Sequence, residues 1–250
     1  MSTTKCIAAL VPSGPLVPHT IKRRPCGEDD VVIDVKYCGI CHSDIHQVRD
    51  EWFPGIFPMV PGHEVVGIVA EVGSKVKKFV VGDSVGVGCM VDSCRSCPSC
   101  KAGIEQYCQT GSVFTYNGTY KYEHCAEYTP EGGAPTYGGY SARIVVVESF
   151  VLKVPKNINL AAAAPLLCAG ITVYSPMIHF GLNPSLKLAV LGLGGLGHMA
   201  VKFGVAFGCH VTVVSRGTAK KTDALVGLRA NHYVDSTDPE AMAVKFAIFV

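Results

Sequence analysis

Short runs of β-branched residues, separated by glycine and proline, dominate the first half of the chain. The clearest runs are Val31–Lys36, Val65–Val72 and Ile144–Val147, and each has the length and composition of a β-strand. Turns rich in glycine and proline between such strands are typical of an irregular domain built mainly from β-structure. We therefore expect residues 1–168 to form a β-rich domain.

The second half changes to an alternation of helix-like and strand-like patterns. A strand, a helix and a second strand in that order form a βαβ unit, which predicts a parallel sheet. Helices are expected from Leu160, at Gly195–Phe207 and at Thr218–Leu228, and strands at Leu186–Leu191, His210–Val214, His232–Val234 and Val244–Val250.

Together these patterns predict an α/β protein with two domains, a β-rich domain over residues 1–168 and a doubly wound parallel sheet over residues 169–250. The boundary is expected near Cys168. The run Val244–Val250 has the composition of a buried parallel strand, and no element follows it to cover its faces. We therefore expect a chain truncated at its C-terminus, with an incomplete parallel sheet.

Composition narrows the classes of function. The 250 residues are 48% hydrophobic and 17% charged with a net charge of +2, which suits a globular core and argues against a nucleic-acid partner. The polar N-terminus and the interrupted apolar runs argue against secretion and against a membrane span. Twelve cysteines in a long chain without a signal peptide favour metal binding over disulfides. A cytoplasmic location is expected.

Four closely spaced cysteines predict a structural zinc site. Cys94, Cys97, Cys100 and Cys108 follow the spacing C-x2-C-x2-C-x7-C in a loop that has no apolar core of its own. Four thiolates close a tetrahedral zinc site, and such a loop gains folding energy from the metal. The alternatives are four unliganded cysteines or a nucleic-acid-binding zinc ribbon, and the second lacks the basic surface that phosphates require.

Two further segments suggest a second, catalytic zinc site. Cys41 begins the segment Cys-His-Ser-Asp-Ile-His, and His63 lies in Pro-Gly-His-Glu. A catalytic zinc takes three protein ligands and keeps one open position, and two cysteines with one histidine form a ligand set suited to alcohol oxidation. Cys41 and His63 supply two of the three. Taken alone, a histidine in this setting is more often a hydrogen-bonded core or surface residue, and the combination with Cys41 and the four-cysteine loop favours the ligand role instead.

A glycine motif in the second half predicts a dinucleotide site. The motif follows a predicted strand and opens a predicted helix, so its glycines allow a tight turn and a close approach of the backbone to a pyrophosphate. The N-terminus of the helix then faces the phosphates. The expected cofactor-binding residues of this loop are Gly192, Gly194, Gly195, Leu196 and Gly197.

The residues after the next strand predict a preference for NADP(H). An NAD site usually places a carboxylate at this point, whereas here Ser215, Arg216 and Lys220 offer a hydroxyl, a guanidinium and an ammonium group. Such groups suit the 2′-phosphate of NADP, and arginine provides the forked geometry that an oxyanion favours. The alternative is a solvated basic turn that binds no ligand.

Taken in order, these motifs resemble the zinc-containing medium-chain alcohol dehydrogenases, and more closely their cinnamyl-alcohol-dehydrogenase-like branch. The resemblance implies a GroES-like catalytic domain followed by a Rossmann-type domain. The motifs that carry it are Cys-Gly-Ile-Cys-His-Ser-Asp-Ile-His (38–46), Pro-Gly-His-Glu (61–64), the four-cysteine loop, Pro-Leu-Leu-Cys-Ala-Gly (165–170) and Gly-Leu-Gly-Gly-Leu-Gly-His (192–198).

The resemblance also implies roles for individual residues. It makes Cys168 the third ligand of the catalytic zinc, although by itself this cysteine is typical of a small buried hydrophobe. Glu64 is expected behind the metal, where it can approach as a ligand during water exchange. Asp44 resembles the carboxylate that orients the histidine ligand. Ser43 and His46 resemble a proton relay.

Four further positions are expected near the cofactor or the substrate. His42 is either a pyrophosphate contact or a solvated loop histidine. Trp52, Phe53 and Phe114 occupy positions that the resemblance makes substrate-facing, although core packing explains aromatic residues as well. An aromatic wall favours aryl or medium-length aliphatic aldehydes.

The sequence therefore predicts an oxidoreductase that interconverts primary alcohols and aldehydes with NADP(H) and two zinc ions per chain. Its partner is a small molecule, and a homodimer is expected at full length. One alternative is a nonenzymatic zinc- and nucleotide-binding fragment of such a dehydrogenase. A metal-free quinone reductase of the same superfamily is a third reading, and the cysteine ligands argue against it.

Overall fold

The computed structural model describes residues 2–122 and 133–246 of the chain. The chain divides into two compact units, Met1–Cys168 and Ala169–Val250. Among the described residues, no single helix is long and apolar enough to cross a membrane, and only the bent pair Leu160–Leu167 and Ala169–His179 meets those limits when its two helices are combined.

The first unit is built from short, mostly antiparallel strands. A hairpin pairs β1 with β2, and a five-stranded antiparallel sheet has the order β10-β3-β4-β5-β11. Two-stranded ribbons pair β6 with β7 and β8 with β9. The strands are β1 Ser2–Ala9, β2 Leu16–Arg23, β3 Asp30–Cys38, β4 Val65–Val72, β5 Ser84–Val87, β6 Met90–Asp92, β7 Val113–Phe114, β8 Thr119–Tyr120, β9 Ala134–Pro135, β10 Arg143–Val147 and β11 Leu152–Lys153.

Alternating apolar residues of the five-stranded sheet form the core of this unit. Val31 and Ile33 of β3 and Val65 and Val69 of β4 are fully buried, as strand periodicity requires when one face covers a core. The short helices of this unit are α1 His42–Val48, α2 Pro98–Lys101 and α3 Leu160–Ala163. Its 3-10 turns are Glu105–Tyr107, Glu148–Phe150 and Ala164–Leu167.

The second unit is a parallel three-stranded sheet with helices in its connections. The strand order is β12-β13-β14. In the parallel pairing of β12 with β13, Leu188 lies opposite Val211 and Ala189 lies opposite Thr212. Val190, Val201 and Val213 belong to its apolar core. Its elements are α4 Ala169–His179, β12 Lys187–Leu191, α5 Gly195–Ala206, β13 His210–Ser215, a π-helical turn Asp223–Gly227, β14 His232–Asp235 and α6 Pro239–Phe246.

The strands predicted in the first half and the strand–helix–strand unit of the second half are present at the predicted places. The strand predicted at Val244–Val250 is wrong, because residues 244–246 end the helix α6, and 247–250 lie outside the described residues. The reason is a helix start at Asp238, whose Oδ1 accepts the N–H groups of Glu240 (3.0 Å) and Ala241 (3.1 Å), with proline at the first helical position.

The structure differs from the predictions in one further helix and in two elements that the sequence did not predict. The helix predicted at Thr218–Leu228 contains the π-helical turn Asp223–Gly227, in which the Leu228 N–H donates to the Asp223 carbonyl at 2.8 Å. The helix α4 and the β1–β2 hairpin carry no prediction from the sequence. Pro176 inside α4 obscures the helical pattern, and the hairpin has a longer connection than a two-residue turn signal.

Candidate active site

The segment after β3 turns into α1 at Cys41, and the helix start organises the site. Cys41 is the N-cap residue with extended backbone angles, and its N–H donates to Asp44 Oδ2 at 2.9 Å. A carboxylate at the third helical position that reaches back to the N-cap backbone is one half of a capping box, and a negative charge suits the helix N-terminus. This start fixes the directions of Cys41 and Asp44 together.

Asp44 is a buried carboxylate that accepts four hydrogen bonds. Oδ1 accepts the Gly62 N–H at 3.0 Å and His63 Nδ1 at 3.2 Å, and Oδ2 accepts the Cys41 N–H at 2.9 Å and the Tyr140 hydroxyl at 3.1 Å. Burial opposes ionisation, but these donors outweigh it and lower the pKa of Asp44. The Asp44 carboxylate therefore holds the backbone of Cys41 and the imidazole of His63 together.

The His63 imidazole is held with one nitrogen on Asp44 and the other free to face the thiols. Burial lowers the pKa of His63, but the hydrogen bonds to Asp44 and Cys41 outweigh it and raise the pKa to about 10. A ring nitrogen bonded to a carboxylate makes the other nitrogen a more basic ligand, as metal sites generally require. Tyr116 stacks against the ring with the centroids 5.8 Å apart.

Cys41, His63 and Cys168 bring their ligand atoms within 4.8 Å of one another. The Sγ atoms of Cys41 and Cys168 are 4.0 Å apart, and two sulfurs on one tetrahedral zinc lie about 3.8 Å apart. Hydrogen bonds from Cys168 and His63 lower the pKa of the Cys41 thiol to about 3, and those that Cys168 gives to Cys41 and Cys89 raise its own pKa. The donor set and its spacing fit a zinc ion with three protein ligands.

Glu64 lies next to this group but outside the set of three. Its side chain is buried, and Gly39 makes room for it, since a Cβ at Gly39 would lie 1.9 Å from Glu64 Oε2. The Gly39 N–H also donates to the Glu64 carbonyl at 3.0 Å. The absence of a side chain at Gly39 therefore leaves room for the buried Glu64 carboxylate.

The expected relay residues lie on α1 and face the same region. Ser43 Oγ is 3.4 Å from Cys41 Sγ and belongs to a cavity wall. The rings of His42 and His46 have their centroids 4.8 Å apart, and His46 stacks on Trp52 at 4.6 Å. The structure therefore brings Ser43, His42 and His46 onto one short helix beside the ligand group.

A cavity of about 290 Å³ opens over Cys168 and His63. Four aromatic side chains contribute to its lining, together with the ligand-type residues His63 and Cys168. Trp52, Phe53 and Phe114, the predicted substrate-facing residues, all line it. The complete lining is Ser43, Gln47, Trp52, Phe53, Pro54, His63, Cys89, Phe114, Thr115, Tyr116, Asn117 and Cys168.

The four-cysteine loop brings its sulfurs together separately from this cavity. Cys94, Cys97, Cys100 and Cys108 have Sγ atoms within 4.8 Å of one another, with Cys100 Sγ at 3.8 Å from Cys94 Sγ and 3.5 Å from Cys97 Sγ. Backbone N–H groups of Ser96 and Cys97 lower the pKa of the Cys94 thiol to about 5. Four sulfurs at these separations fit a closed tetrahedral zinc site.

The glycine motif in the second unit forms the turn between β12 and α5. Gly192 has a φ of 85°, a conformation that glycine adopts readily, and Gly194 is the N-cap of α5. A Cβ at Gly194 or Gly195 would meet no atom within 4 Å, so the backbone at the helix N-terminus is open to a ligand. This cradle fits a pyrophosphate.

The basic turn after β13 lies beside the glycine motif. Ser215 ends β13 and is buried, Arg216 is exposed, and Lys220 Nζ donates to the Leu193 carbonyl of the glycine turn at 2.8 Å. Asp235, which ends β14 opposite Ser215, accepts the Gly217 N–H at 2.8 Å. The turn that carries Arg216 is thus held by hydrogen bonds at both ends.

Substitutions at Gly197 and Gly195 are expected to affect stability and cofactor binding separately. Gly197→Ala is expected to destabilise the second unit by roughly 1–3 kcal/mol, because its Cβ would lie 2.0 Å from the Gly192 carbonyl oxygen. Gly195→Ala has open space and is expected to change the free energy of unfolding by less than about 1 kcal/mol, while weakening NADP(H) binding at least about tenfold. Urea unfolding and cofactor titration measure both. Equal losses of affinity with equal stability in the two variants would contradict the cradle.

Known proteins resemble this chain over both units. Residues 27–156 match the alcohol dehydrogenase GroES-like domain. NADP-dependent alcohol dehydrogenase C 1 of Mycolicibacterium smegmatis is 53% identical over 241 residues, which are 96% of this chain and 66% of that protein. The chain belongs to the zinc-dependent alcohol dehydrogenase family. It spans about two thirds of the length of the curated relatives that it matches.

Two solved alcohol dehydrogenases extend the likeness to the fold. The cinnamyl alcohol dehydrogenase SbCAD4 from Sorghum bicolor has a TM-score of 0.91 at 48% identity, with 97% of this chain and 67% of that chain covered. The Helicobacter pylori cinnamyl alcohol dehydrogenase, complexed with NADP(H), has a TM-score of 0.85 at 47% identity, covering 92% and 64%. The predicted GroES-like domain and Rossmann-type domain are confirmed for this family member.

Sequence reasoning missed three groups at the sites. Tyr140 reaches Asp44 from the segment before β10, Cys89 lines the cavity beside Cys168, and Asp235 supports the basic turn from a neighbouring strand. The only advance signal was for Asp235, since the end of each parallel strand meets the same edge of the sheet. Tyr140 and Cys89 have no local pattern that distinguishes them from core residues.

Proposed function

We propose that this protein is a zinc-dependent oxidoreductase that interconverts primary alcohols and aldehydes by hydride transfer with NADP(H). The observation that carries the proposal is the group Cys41, His63 and Cys168, whose ligand atoms lie within 4.8 Å of one another, with His63 and Cys168 lining a cavity. A glycine cradle and a basic turn in the same chain supply the features that the cofactor needs. The family membership supports the same reaction type.

In this proposal Cys41, His63 and Cys168 hold the catalytic zinc. The bound ion supplies a Lewis acid, which makes an alcohol hydroxyl more acidic and a carbonyl carbon more electrophilic. Asp44 keeps His63 in the tautomer that leaves a nitrogen for the metal. Glu64, the buried residue next to His63 in the chain, is proposed to exchange as a further ligand.

Ser43 and His46 carry the proton in the proposed reaction. During alcohol oxidation the Ser43 hydroxyl accepts the substrate proton while passing its own toward His46, and the imidazole releases a proton to solvent. Aldehyde reduction runs the same transfers in reverse. His42 lies beside His46 and is proposed to contact the cofactor pyrophosphate.

The second zinc of the proposal is structural. Cys94, Cys97, Cys100 and Cys108 use all four tetrahedral positions, so no position remains for a substrate. Closing the loop around the ion provides the folding energy that its short elements α2 and Glu105–Tyr107 lack on their own. Two zinc ions per chain are therefore expected.

The proposed cofactor is NADP(H), bound at the turn Gly192–Gly197 with its 2′-phosphate near Ser215, Arg216 and Lys220. The glycine backbone and the Leu196 N–H face the pyrophosphate. Lys220 already spans the two segments through its bond to the Leu193 carbonyl. Asp235 Oδ1 already accepts the N–H groups of Gly217 and Thr237. That oxygen is therefore not available to the cofactor ribose.

Replacing Arg216 by alanine is expected to weaken NADP(H) binding by about tenfold to a hundredfold, since a hydrogen bond to a charged group contributes about 1.5–3 kcal/mol. NAD(H) lacks the phosphate and should bind equally well before and after the change. Dissociation constants for both cofactors measure the difference. An equal loss for the two cofactors, or a wild-type preference for NAD(H), would exclude Arg216 from phosphate binding.

The cavity favours aromatic or medium-length aliphatic substrates. Its volume of about 290 Å³ and its walls of Trp52, Phe53 and Phe114 suit an aryl ring or a short alkyl chain. Small-molecule alcohols and aldehydes are the proposed substrates, and a homodimer is the proposed assembly of the full-length protein.

The experiment that tests the function is a set of steady-state rates for alcohols and aldehydes with both nicotinamide cofactors, together with zinc analysis. NADP(H)-dependent turnover of primary alcohols or aldehydes with two zinc ions per chain supports the proposal. Zinc and nucleotide binding without turnover would favour the nonenzymatic alternative, and a zinc-free protein that reduces quinones would favour the reductase.

A further inference from the structure

The proposed zinc ligand His63 lies in a buried segment that has no regular secondary structure. Residues 60–64 are all buried, but they belong to no helix and to no strand. Buried backbone N–H and C=O groups cost free energy when they are unpaired, so this segment needs hydrogen-bond partners outside a regular element. The position of His63 therefore depends on the residues that supply those partners.

A second irregular segment, residues 137–141, supplies them. Three of its N–H groups donate to the carbonyl groups of the three residues before His63. The pairs are Gly138 with Val60 (2.7 Å), Gly139 with Gly62 (2.8 Å) and Tyr140 with Pro61 (3.0 Å). The two backbones approach closely, since a Cβ at Gly138 would lie 2.3 Å from the Pro61 carbonyl oxygen. The ligand segment is thus held by the backbone of residues 138–140.

Tyr140 adds a side-chain contact to these backbone contacts. Its hydroxyl donates to Asp44 Oδ2 at 3.1 Å, and Asp44 Oδ1 accepts Nδ1 of His63 at 3.2 Å. The Tyr140 ring lies against Gly62, where a Cβ would be 2.6 Å from the ring atom Cδ1. Gly62 also has a φ of 101°, which favours glycine. One tyrosine therefore contacts both the ligand segment and the carboxylate that orients the ligand.

Arg23, the last residue of β2, holds the same irregular segment. Its buried guanidinium donates to the carbonyl groups of Arg143 at 2.9 Å and Tyr137 at 2.6 Å. Its Nη2 donates to the Gly138 carbonyl at 2.9 Å and to Ser141 Oγ at 2.7 Å. The planar fork of an arginine suits several acceptors in a fixed arrangement. The backbone is thus fixed both before and after the tyrosine.

Packing alone does not require the hydroxyl group of Tyr140. The ring packs against the small apolar cluster that contains Cys6, Ala8, Ile21 and Val60. A phenylalanine would fill the same space, because it lacks only the hydroxyl. That hydroxyl is spent on the one carboxylate that is hydrogen-bonded to His63, and groups behind a histidine ligand set its orientation and its basicity.

We propose that Tyr140 is a positioning residue of the catalytic zinc site. Its hydroxyl holds the Asp44 carboxylate in the orientation that accepts Nδ1 of His63, and its backbone N–H holds the segment that carries His63. Tyr140 acts through these two contacts and not as a ligand. The inference rests on the proposed function, because it concerns the residues that would hold the zinc ion of the cavity.

The test compares two hydroxyl deletions in the same segment. Tyr140→Phe removes the donor to Asp44 and keeps the ring. Tyr137→Phe is the matched control, because Tyr137 contacts Arg23 through its backbone carbonyl and its hydroxyl is three positions away. Chelator competition on the zinc-loaded proteins measures the Kd of each zinc ion. Tyr140→Phe is expected to weaken binding of the cavity zinc about tenfold, with the zinc of the four-cysteine loop unchanged. Tyr137→Phe should change neither Kd.

A spectroscopic readout separates positioning from a contribution to stability. Cobalt(II) is substituted for the cavity zinc, and its visible absorption reports the arrangement of its ligands. We expect Tyr140→Phe to shift this absorption and Tyr137→Phe to leave it as in the wild type. A hydroxyl that only stabilised the fold would lower the free energy of unfolding in urea without changing the cobalt spectrum.

Three results would overturn the role of Tyr140. They are an unchanged Kd of the cavity zinc in Tyr140→Phe, an unchanged cobalt spectrum in that variant, and equal effects in Tyr137→Phe. A wild-type protein that binds zinc only in the four-cysteine loop contradicts the proposed function itself. The two kinds of failure are distinguishable, since the first kind occurs in a protein whose wild type holds both zinc ions.

Discussion

Cys168→Ser is expected to abolish turnover while leaving one zinc ion per chain in the four-cysteine loop. A serine hydroxyl stays protonated near neutral pH, so it replaces a thiolate ligand poorly, and the open site then has two ligands, Cys41 and His63. A catalytic zinc lowers the pKa of bound water to about 7, so loss of the ion should lower kcat by at least about a thousandfold. Rates and metal analysis on the same preparation measure both effects.

Two further variants serve as controls for this result. Cys26→Ser changes a half-buried thiol of the same unit that belongs to neither ligand group, and it should leave rates and metal content unchanged. Cys100→Ser should instead remove the structural zinc and lower the free energy of unfolding, since the loop folds around its metal. Two zinc ions and near-normal rates in Cys168→Ser would show that the catalytic ligand set is wrong.

Local patterns predicted the parts of the fold and of the sites whose residues are near one another in sequence. Strands β3, β4 and β10 follow β-branched runs, and the four-cysteine loop spans only 15 residues, from Cys94 to Cys108. The glycine turn was predictable for the same reason, because a strand, the glycines and a helix are consecutive. In such cases the backbone itself brings the groups together.

Contacts between distant segments were not predictable from spacing. Cys41 and Cys168 are 127 positions apart, and Tyr140 is 96 positions from Asp44. Cys168 was proposed only through the family resemblance, because a cysteine in an apolar segment has no pattern of its own. Tyr140 was not proposed at all. The sheet that joins β10, β3 and β4 creates these contacts, and its strand order has no local signal.

The C-terminal error has a different origin. The run 244–250 has strand-like composition, but the start signal of α6, Asp238 followed by Pro239, was present in the sequence and outweighs it. The helix start therefore follows from a capping rule applied to a short helix.

Asp44→Asn is expected to destabilise the first unit by about 3 kcal/mol or more, because removing the charge of a buried, hydrogen-bonded partner leaves donors without acceptors. Asp44 accepts two donors on each oxygen, Gly62 and His63 on Oδ1 and Cys41 and Tyr140 on Oδ2. An asparagine has a single acceptor oxygen. Its NH2 group must therefore face one of these two pairs of donors, whichever way the amide is turned.

The same change is expected to weaken zinc binding at the cavity about tenfold to a hundredfold, since the carboxylate behind a histidine ligand sets its orientation and basicity. Urea unfolding and chelator competition measure the two effects. Asp34→Asn is the matched control, because its carboxylate pairs with Arg143 at 2.7 Å on a surface where both side chains are about 40% exposed. That variant should lose less than about 1 kcal/mol. Equal losses of stability and of zinc affinity in the two variants would contradict this role of Asp44. Its four hydrogen bonds would then stabilise neither the fold nor the positions of the zinc ligands.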